Sequence, residues 1–313
     1  MPIVGWSLIR EGECQPSGLP GHLCAPGAPH RGHSPAGMEP VEQRWNAGHI
    51  RWARPDRPLF NPAGYTVDTA TRPEAAAFVH QHHYSKAYPA AKKAYKLRDP
   101  DGMIVGVAVF AVPASAKVLT GPFPNLEPYV ETIELSRLVL HDAVPFNAES
   151  WFVAQCHHDL AAIGVRGVVS FSDPLQRTTH AGTIVMPGHV GTIYQALNFT
   201  YTGRGTARRL TILPDGTVLS DRAAQKIRAR ERGHDYAQRI LTDLGAEPLR
   251  PADDPTVWLH RALDTIGARR VAHPGNHRYC LTLGRRNRRH LVLDPQPYPT
   301  AVRVAAAPSA LTV

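Results

Sequence analysis

No two cysteines in this chain stand as a C-x-x-C pair; the four it has are Cys14, Cys24, Cys156 and Cys280. That spacing excludes a zinc ribbon and a thioredoxin-type redox site. No apolar run approaches the roughly 20 residues needed to span a bilayer, and no secretory hydrophobic region opens the chain. These absences predict a soluble cytoplasmic protein, without membrane attachment and with reduced thiols. Familiar catalytic signatures are missing too: there is no P-loop, no H-E-x-x-H, no G-x-S-x-G and no dinucleotide glycine fingerprint.

Basic charge, in contrast, is plentiful. The 313 residues carry 35 Lys+Arg against 26 Asp+Glu, a formal charge of +9. Such a balance favours a polyanionic partner or a phosphate-bearing cofactor. The excess is concentrated late in the chain, with 16 Lys+Arg against 10 Asp+Glu between Asp215 and Val313. There Asp221 is placed to cap a helix on which Arg222, Lys226 and Arg230 recur at i, i+4 and i+8, predicting one shared face. A second group, Arg285-Arg286-Asn287-Arg288-Arg289-His290, follows His277-Arg278-Tyr279. A solvated helix face explains one such stripe; two basic groups beside aromatics fit phosphate contacts to DNA better.

Residues 1–60 are rich in Pro, Gly, His and Arg and show no sustained period, which predicts a largely disordered leader. Order is expected to begin near Tyr65, where Tyr65-Thr66-Val67-Asp68-Thr69 alternates as a strand does. Thr71 then caps a helix with Pro73 and Glu74 in its first turn. Strands over Ala94 to Arg98 and Met103 to Val112 are joined by the turn Asp99-Pro100-Asp101-Gly102. A strand from Thr132 to Leu140, a helix from Ala148 to Ile163 and a strand from Gly167 to Phe171 follow. A short helix from Gly191 to Leu197 leads into Phe199-Thr200-Tyr201. Alternating strands and helices predict a mixed α/β sheet. The domain expectation is a leader (1–60), a catalytic core (61–213), a basic DNA-contacting extension (214–300) and a tail (301–313).

Four places gather groups able to do chemistry. His83-Tyr84-Ser85-Lys86 ends the first helix, where an imidazole can shuttle a proton or ligate a metal and a phenol can donate a proton. Complementing the helix dipole is the plainer role for that histidine. Glu134, Ser136 and Arg137 interrupt a strand that should be apolar; alternation puts Glu134 and Ser136 on one face, Leu135 and Arg137 on the other. A structural Glu–Arg pair and a ligand-facing Arg137 both fit. Asn147-Ala148-Glu149-Ser150 opens a helix whose N–H groups can bind an anion. Asp173 stands just past a strand end, where ligands of α/β sheets bind, and is a candidate base, orienter of His83 or metal ligand. Tyr194 follows in Gly191-Thr192-Ile193-Tyr194. The D/N-P-P-Y/W signature of adenine methyltransferases is missing, and Asp173-Pro174-Leu175-Gln176 is a poor substitute.

Taken in order, His83-Tyr84-Ser85-Lys86 with Pro89, Gly106-Val107-Ala108-Val109-Phe110, Glu134-Leu135-Ser136-Arg137-Leu138, Asn147-Ala148-Glu149-Ser150, Ser172-Asp173-Pro174, Gly191-Thr192-Ile193-Tyr194-Gln195-Ala196 and His277-Arg278-Tyr279 resemble the phage Mom family over roughly residues 60–300. The resemblance implies a GNAT-like mixed central sheet flanked by helices, here with a basic C-terminal extension. It implies conversion of adenine N6 in DNA to a carbamoylmethyl (acetamido) derivative that shields phage DNA from restriction. Acetyl-coenzyme A is the implied acyl source, and a bound iron is implied, with His83, Tyr84 and Asp173 as its candidate ligands. On this resemblance His83, Tyr84, Asp173 and Tyr194 form the catalytic set, and Arg137, Asn147 and Ser150 hold the cofactor. DNA contact falls to Arg222, Lys226, Arg230, Arg285, Arg286, Arg288 and Arg289. The chain departs from the GNAT pattern between Leu140 and Asn147, where the glycine-bearing pyrophosphate loop is missing; the helix start at Asn147 to Ser150 is the substitute. A GNAT enzyme acting on a small amine or a protein, and a non-catalytic DNA-binding protein, are the competing readings.

Overall fold

The computed structural model describes residues 60–299 except Asp142, Phe146 and Pro187, together with the backbone of two earlier strands. Those strands, β1 (Glu42–Asn46) and β2 (His49–Ala53), pair antiparallel. A hairpin therefore lies within the segment expected to lack regular structure, held by backbone pairing that needs no hydrophobic period. Cys14, Cys24 and the tail from 301 onward lie outside the described residues.

Beyond β3 (Thr66–Thr69), helix α1 (Arg72–His82) begins as its sequence dictates. The Glu74 N–H donates to Thr71 Oγ1, and the Thr71 N–H donates back to the Glu74 carboxylate at 2.8 Å. This reciprocal cap partners two N–H groups that a helix start otherwise leaves open. Glu74 also binds the ammonium of Lys96 at 2.6 Å. That bond, reinforced by the Thr71 contacts, pulls the Glu74 carboxyl down to about 2.

Strands β4 (Ala91–Arg98) and β5 (Ile104–Ala111) form a hairpin through the expected turn. Asp99 Oδ1 accepts the N–H groups of Asp101 and Met103 there, and Gly102 takes φ +81°. The short helix α2 (Lys117–Thr120) precedes β6 (Thr132–Leu140), and α3 (Ala148–Ala162) crosses to β7 (Gly167–Ser172). A small hairpin of β8 (Arg177–Thr178) and β9 (Ile184–Met186), then α4 (Thr192–Ala196), lead to β10 (Thr200–Arg204).

Next comes a unit with its own core. Strands β11 (Arg208–Ile212), β12 (Val218–Leu219) and β13 (Arg269–His273) make a three-stranded sheet in the order β12-β11-β13. Helices α5 (Asp221–Arg228), α6 (His234–Thr242) and α7 (Pro255–Thr265) bury Ile227, Leu241, Trp258 and Leu259 against it. The chain then returns as β14 (His277–Thr282), followed by a 3₁₀ turn, Arg285–His290.

The main sheet has seven strands in the order β10-β14-β7-β6-β5-β4-β3, with only β6 and β7 parallel. Helix α3 covers one face through Phe152, Cys156 and Leu160, and α1 covers the other through Phe78 and Val79. The mixed α/β sheet flanked by helices thus stands. The expected boundary at residue 213 does not. Strand β14 pairs with β7 along its whole length and buries Tyr279 and Cys280 completely. The core sheet is completed by a strand from the supposed extension because β7 would otherwise expose an edge of unpaired N–H and C=O groups. Residues 208–273 are an insert between two neighbouring strands.

Candidate active site

Strands β6 and β7 pair from Thr132↔Gly167 to Leu135↔Ser170, then part, β6 running on to Leu140 and β7 to Ser172. The cause lies on the other side of β6. Phe110 stands opposite Leu135 and Val109 opposite Arg137, so Ser136 is an extra residue in the ladder. A bulge of this kind bends its strand and sharpens the twist. It also overturns the simple alternation: Leu135 stays on the α3 face, while Arg137 joins Val109 on the α1 face. There its guanidinium donates to Ala87 O at 3.0 Å and to Ser136 O at 2.7 Å, tying the segment after α1 to the parted strand. Glu134 shares that face; burial raises its carboxyl, against the opposing pull of Ser136 and Arg137.

His83 ends α1 with its N–H still bonded to Val79 O. The imidazole is buried, and Nδ1 accepts the Ser85 N–H at 3.1 Å with Ser85 Oγ at 2.9 Å. Burial, helped by the charges of Arg137 and His189, lowers its pKa to about 3. His83 is therefore neutral near pH 7, and the accepting role of Nδ1 assigns its proton to Nε2. The unfolded chain, with an ordinary value of 6.5, holds more protons than the folded one between those two values. Stability must consequently fall as pH drops from 6.5 toward 3. His83→Gln is expected to narrow the difference in melting temperature between pH 7 and pH 4, as read by calorimetry on the two proteins.

Tyr84 packs its ring 4.2 Å from that of His83 and 6.4 Å from that of His189. Burial raises its phenol, Asp173 adds to the rise, and Arg137 and Arg177 oppose it. The group stays protonated and able to donate. The His189 imidazole is held below its usual range by burial first, with Asp173 working the other way.

Asp173 stands among these groups but is differently engaged than expected. Its Oδ1 accepts from His273 Nε2 at 2.9 Å and from the Leu175 N–H at 2.9 Å, and Oδ2 lies 3.7 Å from Arg177. His273 is fixed in turn by the Gly275 N–H, which donates to Nδ1 at 3.0 Å. Asp173 therefore does not orient His83; it fastens the last strand of the insert to the end of β7. Tyr194 is buried in an aromatic row, 5.4 Å from Phe199 and 5.2 Å from Tyr279. Its hydroxyl donates to Phe171 O at 3.5 Å, and burial raises its phenol strongly. Gly191, at φ +78°, permits this packing, since a Cβ there would come within 2.8 Å of both the Tyr194 and Tyr279 rings. Beside it the buried hydroxyl of Ser172 has no hydrogen-bond partner among the described residues.

The expected iron does not fit His83, Tyr84 and Asp173. A ligating histidine normally donates from its second ring nitrogen to an outer partner, whereas His83 Nδ1 accepts, leaving the proton on the nitrogen a metal would need. The Asp173 carboxylate is already taken by His273, Leu175 and Arg177. Among the described residues, no group of three or more His, Cys, Asp or Glu is arranged to hold a metal ion. Coenzyme A fares better. Helix α3 opens just beyond the C-terminal end of β6, at the sheet edge where β6 and β7 part. Asn147 sits there at φ +73° and its side chain makes no capping hydrogen bond among the described residues, while the Ala148 N–H donates to Pro145 O at 3.4 Å. The N–H groups of that first turn suit a pyrophosphate, with Glu149 opposing it. Ser150 Oγ donates to Asn147 O at 3.0 Å, and Arg137 is committed to the carbonyls of Ala87 and Ser136.

The basic residues divide. Ser220, not Asp221, caps α5, and the helix ends at Arg228. Arg230 lies beyond it at φ +46° and donates to the carbonyls of Arg250, Pro251 and Asp253. Arg222 makes a two-pronged ion pair with Glu231, at 2.5 and 3.2 Å. The expected single face of Arg222, Lys226 and Arg230 is thus broken by the chain turning back to complete the insert. Arg285, Arg286, Arg288 and Arg289 are all exposed. They follow the Thr282 end of β14, which pairs with Gly167, whereas the His83–Asp173 cluster lies at the Ser172 end of β7. Sequence reasoning missed His189 and His273. The first sits two residues before Gly191 and was open to notice; the second is 100 residues from its partner and sent no local signal.

No helix among the described residues is long and apolar enough to cross a membrane. No curated protein matches the chain. Several solved structures are distantly similar. A GNAT family N-acetyltransferase (YhbS) from Escherichia coli in complex with CoA is 13% identical, with 46% of this chain and 71% of that one covered and a TM-score of 0.30. A Bacillus subtilis acetyltransferase in complex with CoA is 10% identical, at 70% and 99% coverage and a TM-score of 0.34. A putative acetyltransferase (yncA) from Salmonella typhimurium with acetyl-CoA is 10% identical, at 71% and 95% coverage and a TM-score of 0.32. Likenesses this distant assign no activity. The match that does reach across the chain, from β3 through β14, is to the model of the Mom protein family over residues 64–300, and to that family the chain belongs.

Proposed function

We propose that this protein modifies DNA, converting adenine N6 to its carbamoylmethyl (acetamido) derivative with acetyl-coenzyme A as the acyl source. In a phage, that mark shields the DNA from host restriction. Family membership supports this reading, and one observation carries it to particular residues. His83 and Tyr84 from the end of α1, Arg137 from β6, Asp173 from the end of β7 and His189 from the loop before α4 converge where β6 and β7 part. A strand end that served only the fold would have no use for so many polar groups, each costly to bury unless partnered.

Bound coenzyme A would supply an activated two-carbon group, with its pyrophosphate at the start of α3; acyl transfer to N6 alone gives the N6-acetyl amide, so the carbamoylmethyl product takes its amide nitrogen from a further nitrogen donor. Tyr84, kept protonated by burial, would serve as the proton donor at this site. His189, kept neutral by burial, would accept the proton that N6 gives up. The Nε2–H of His83 is a fixed donor for a carbonyl oxygen. Arg137 holds the Tyr84 segment in place through Ala87 O. Because N6 is engaged in base pairing within a duplex, the target adenine must leave the stack or be met in a single strand.

The deciding experiment is nucleoside mass spectrometry of plasmid DNA digested from cells that express the protein. A new adenosine species heavier by a carbamoylmethyl substituent, present with the wild type and lost in folded His83→Ala, is the expected result. Unchanged DNA alongside soluble, folded wild-type protein would overturn the reading.

A further inference from the structure

The insert leaves and rejoins the main sheet at the same edge as the active-site cluster. Strand β10 ends at Arg204 opposite His277, where β14 begins, and His277 is itself paired with Ser172 at the end of β7. The first strand pair of the insert, β11 with β13, starts from this edge: Arg208 stands opposite His273, the residue bonded to Asp173. From that anchor the ribbon leads away carrying two adjacent arginines on each strand, Arg208 and Arg209 on β11, Arg269 and Arg270 on β13. All four are exposed.

None of the four charges is neutralised among the described residues. Arg208 donates to the amide oxygen of Asn276 at 3.4 Å and Arg269 to the carbonyl of Thr178 at 3.2 Å, both uncharged acceptors. The side chains of Arg209 and Arg270 make neither an ion pair nor a hydrogen bond among the described residues. Asp264 borders the cleft beside Arg270 without pairing to it. The register places Arg209 opposite Ala272 and Arg270 opposite Thr211. Arg209 and Arg270 are therefore diagonal neighbours on one face, about 7–8 Å apart at Cα. Uncompensated like charges that close repel unless an anion lies across them. The exposed arginines after β14 stand at the opposite end of β7, roughly 17–20 Å away by strand rise. The ribbon is thus better placed to lead a polyanion into the cluster.

We propose that the β11–β13 ribbon grips the phosphodiester backbone of DNA next to the target nucleotide, through Arg209 and Arg270 above all. The inference rests on the DNA-modifying reading and adds where the strand enters. Backbone contact of this kind is independent of sequence and is read out by salt. Each phosphate neutralised contributes about 0.9 to the slope of log K against log salt on B-DNA.

The test measures binding of a fluorescein-labelled random-sequence duplex by anisotropy across a series of salt concentrations. It compares the full-length wild type, the double variant Arg209→Gln/Arg270→Gln and the charge-keeping Arg209→Lys/Arg270→Lys, each first checked for an unchanged melting temperature. Loss of roughly two units of salt slope in the Gln variant, with most of it retained in the Lys variant, is the expected result. A wild type that binds DNA with an unchanged slope in the Gln variant would overturn the ribbon and leave the DNA reading standing. A folded wild type without DNA affinity even at low salt would sink both.

Discussion

Tyr84→Phe removes a single oxygen and is expected to lower adenine modification by about 10²–10⁴-fold, the usual contribution of a positioned general acid. The ring itself should stay where it is. Its contacts with His83 and His189 are ring contacts, so the melting temperature should change little. The hydroxyl is another matter. Burial and Asp173 keep the phenol protonated, and the nearby guanidinium groups of Arg137 and Arg177 temper that rise. Such a site holds a donor ready while favouring the charge that appears once the proton has gone. The measurement is the modified fraction of adenosine over a time course, with calorimetry on the same preparations. Activity within a few-fold of wild type, in a protein of unchanged stability, would remove Tyr84 from the role of proton donor.

The largest effect on stability is expected from Trp258→Ala, about 3–5 kcal/mol for a fully buried tryptophan. Its consequence should be local. Trp258 belongs to the core formed by α5, α6 and α7, which is separate from the cores on the two faces of the main sheet. The mutation also deprives Glu247 O of the indole N–H that donates to it at 2.9 Å. A unit as small as residues 208–273 buries too little surface to stand much loss of this size. Thermal unfolding should then show a new transition at lower temperature, and limited proteolysis should cut between Arg208 and His273 while the main sheet persists. A single transition at a lowered temperature would show that the insert is not an independent unit, and one at the wild-type temperature would show that Trp258 contributes little to stability. Because His273 carries the insert's bond to Asp173, DNA modification should fall along with the insert.

How far the site could be seen in advance follows from the range of the interactions that build it. Thr71 and Glu74 specify the start of α1 through contacts three residues apart, and Asp99 to Gly102 specify a turn in the same way. The limits of β6 and nearly those of α3 follow from apolar runs and their flanking residues. His83, Tyr84 and Asp173 are legible because polar groups at element ends in an α/β pattern are local facts as well.

The bulge at Ser136 was not legible, because alternation assumes an unbroken ladder and only the partner strand reveals the extra residue. It decided which face Arg137 occupies. The pairing of Asp173 with His273 and the seating of β14 beside β7 join positions about a hundred residues apart. The arginine spacing in α5 suggested a stripe, but the chain reverses after Arg228 and turns Arg230 onto three carbonyls. By itself, then, the sequence determined the local elements, the basic character and the chemically able residues at their ends. Tertiary structure alone decided which of those residues meet and which arginines remain free, because strand partners and buried ion pairs are selected by competition for burial across the whole chain.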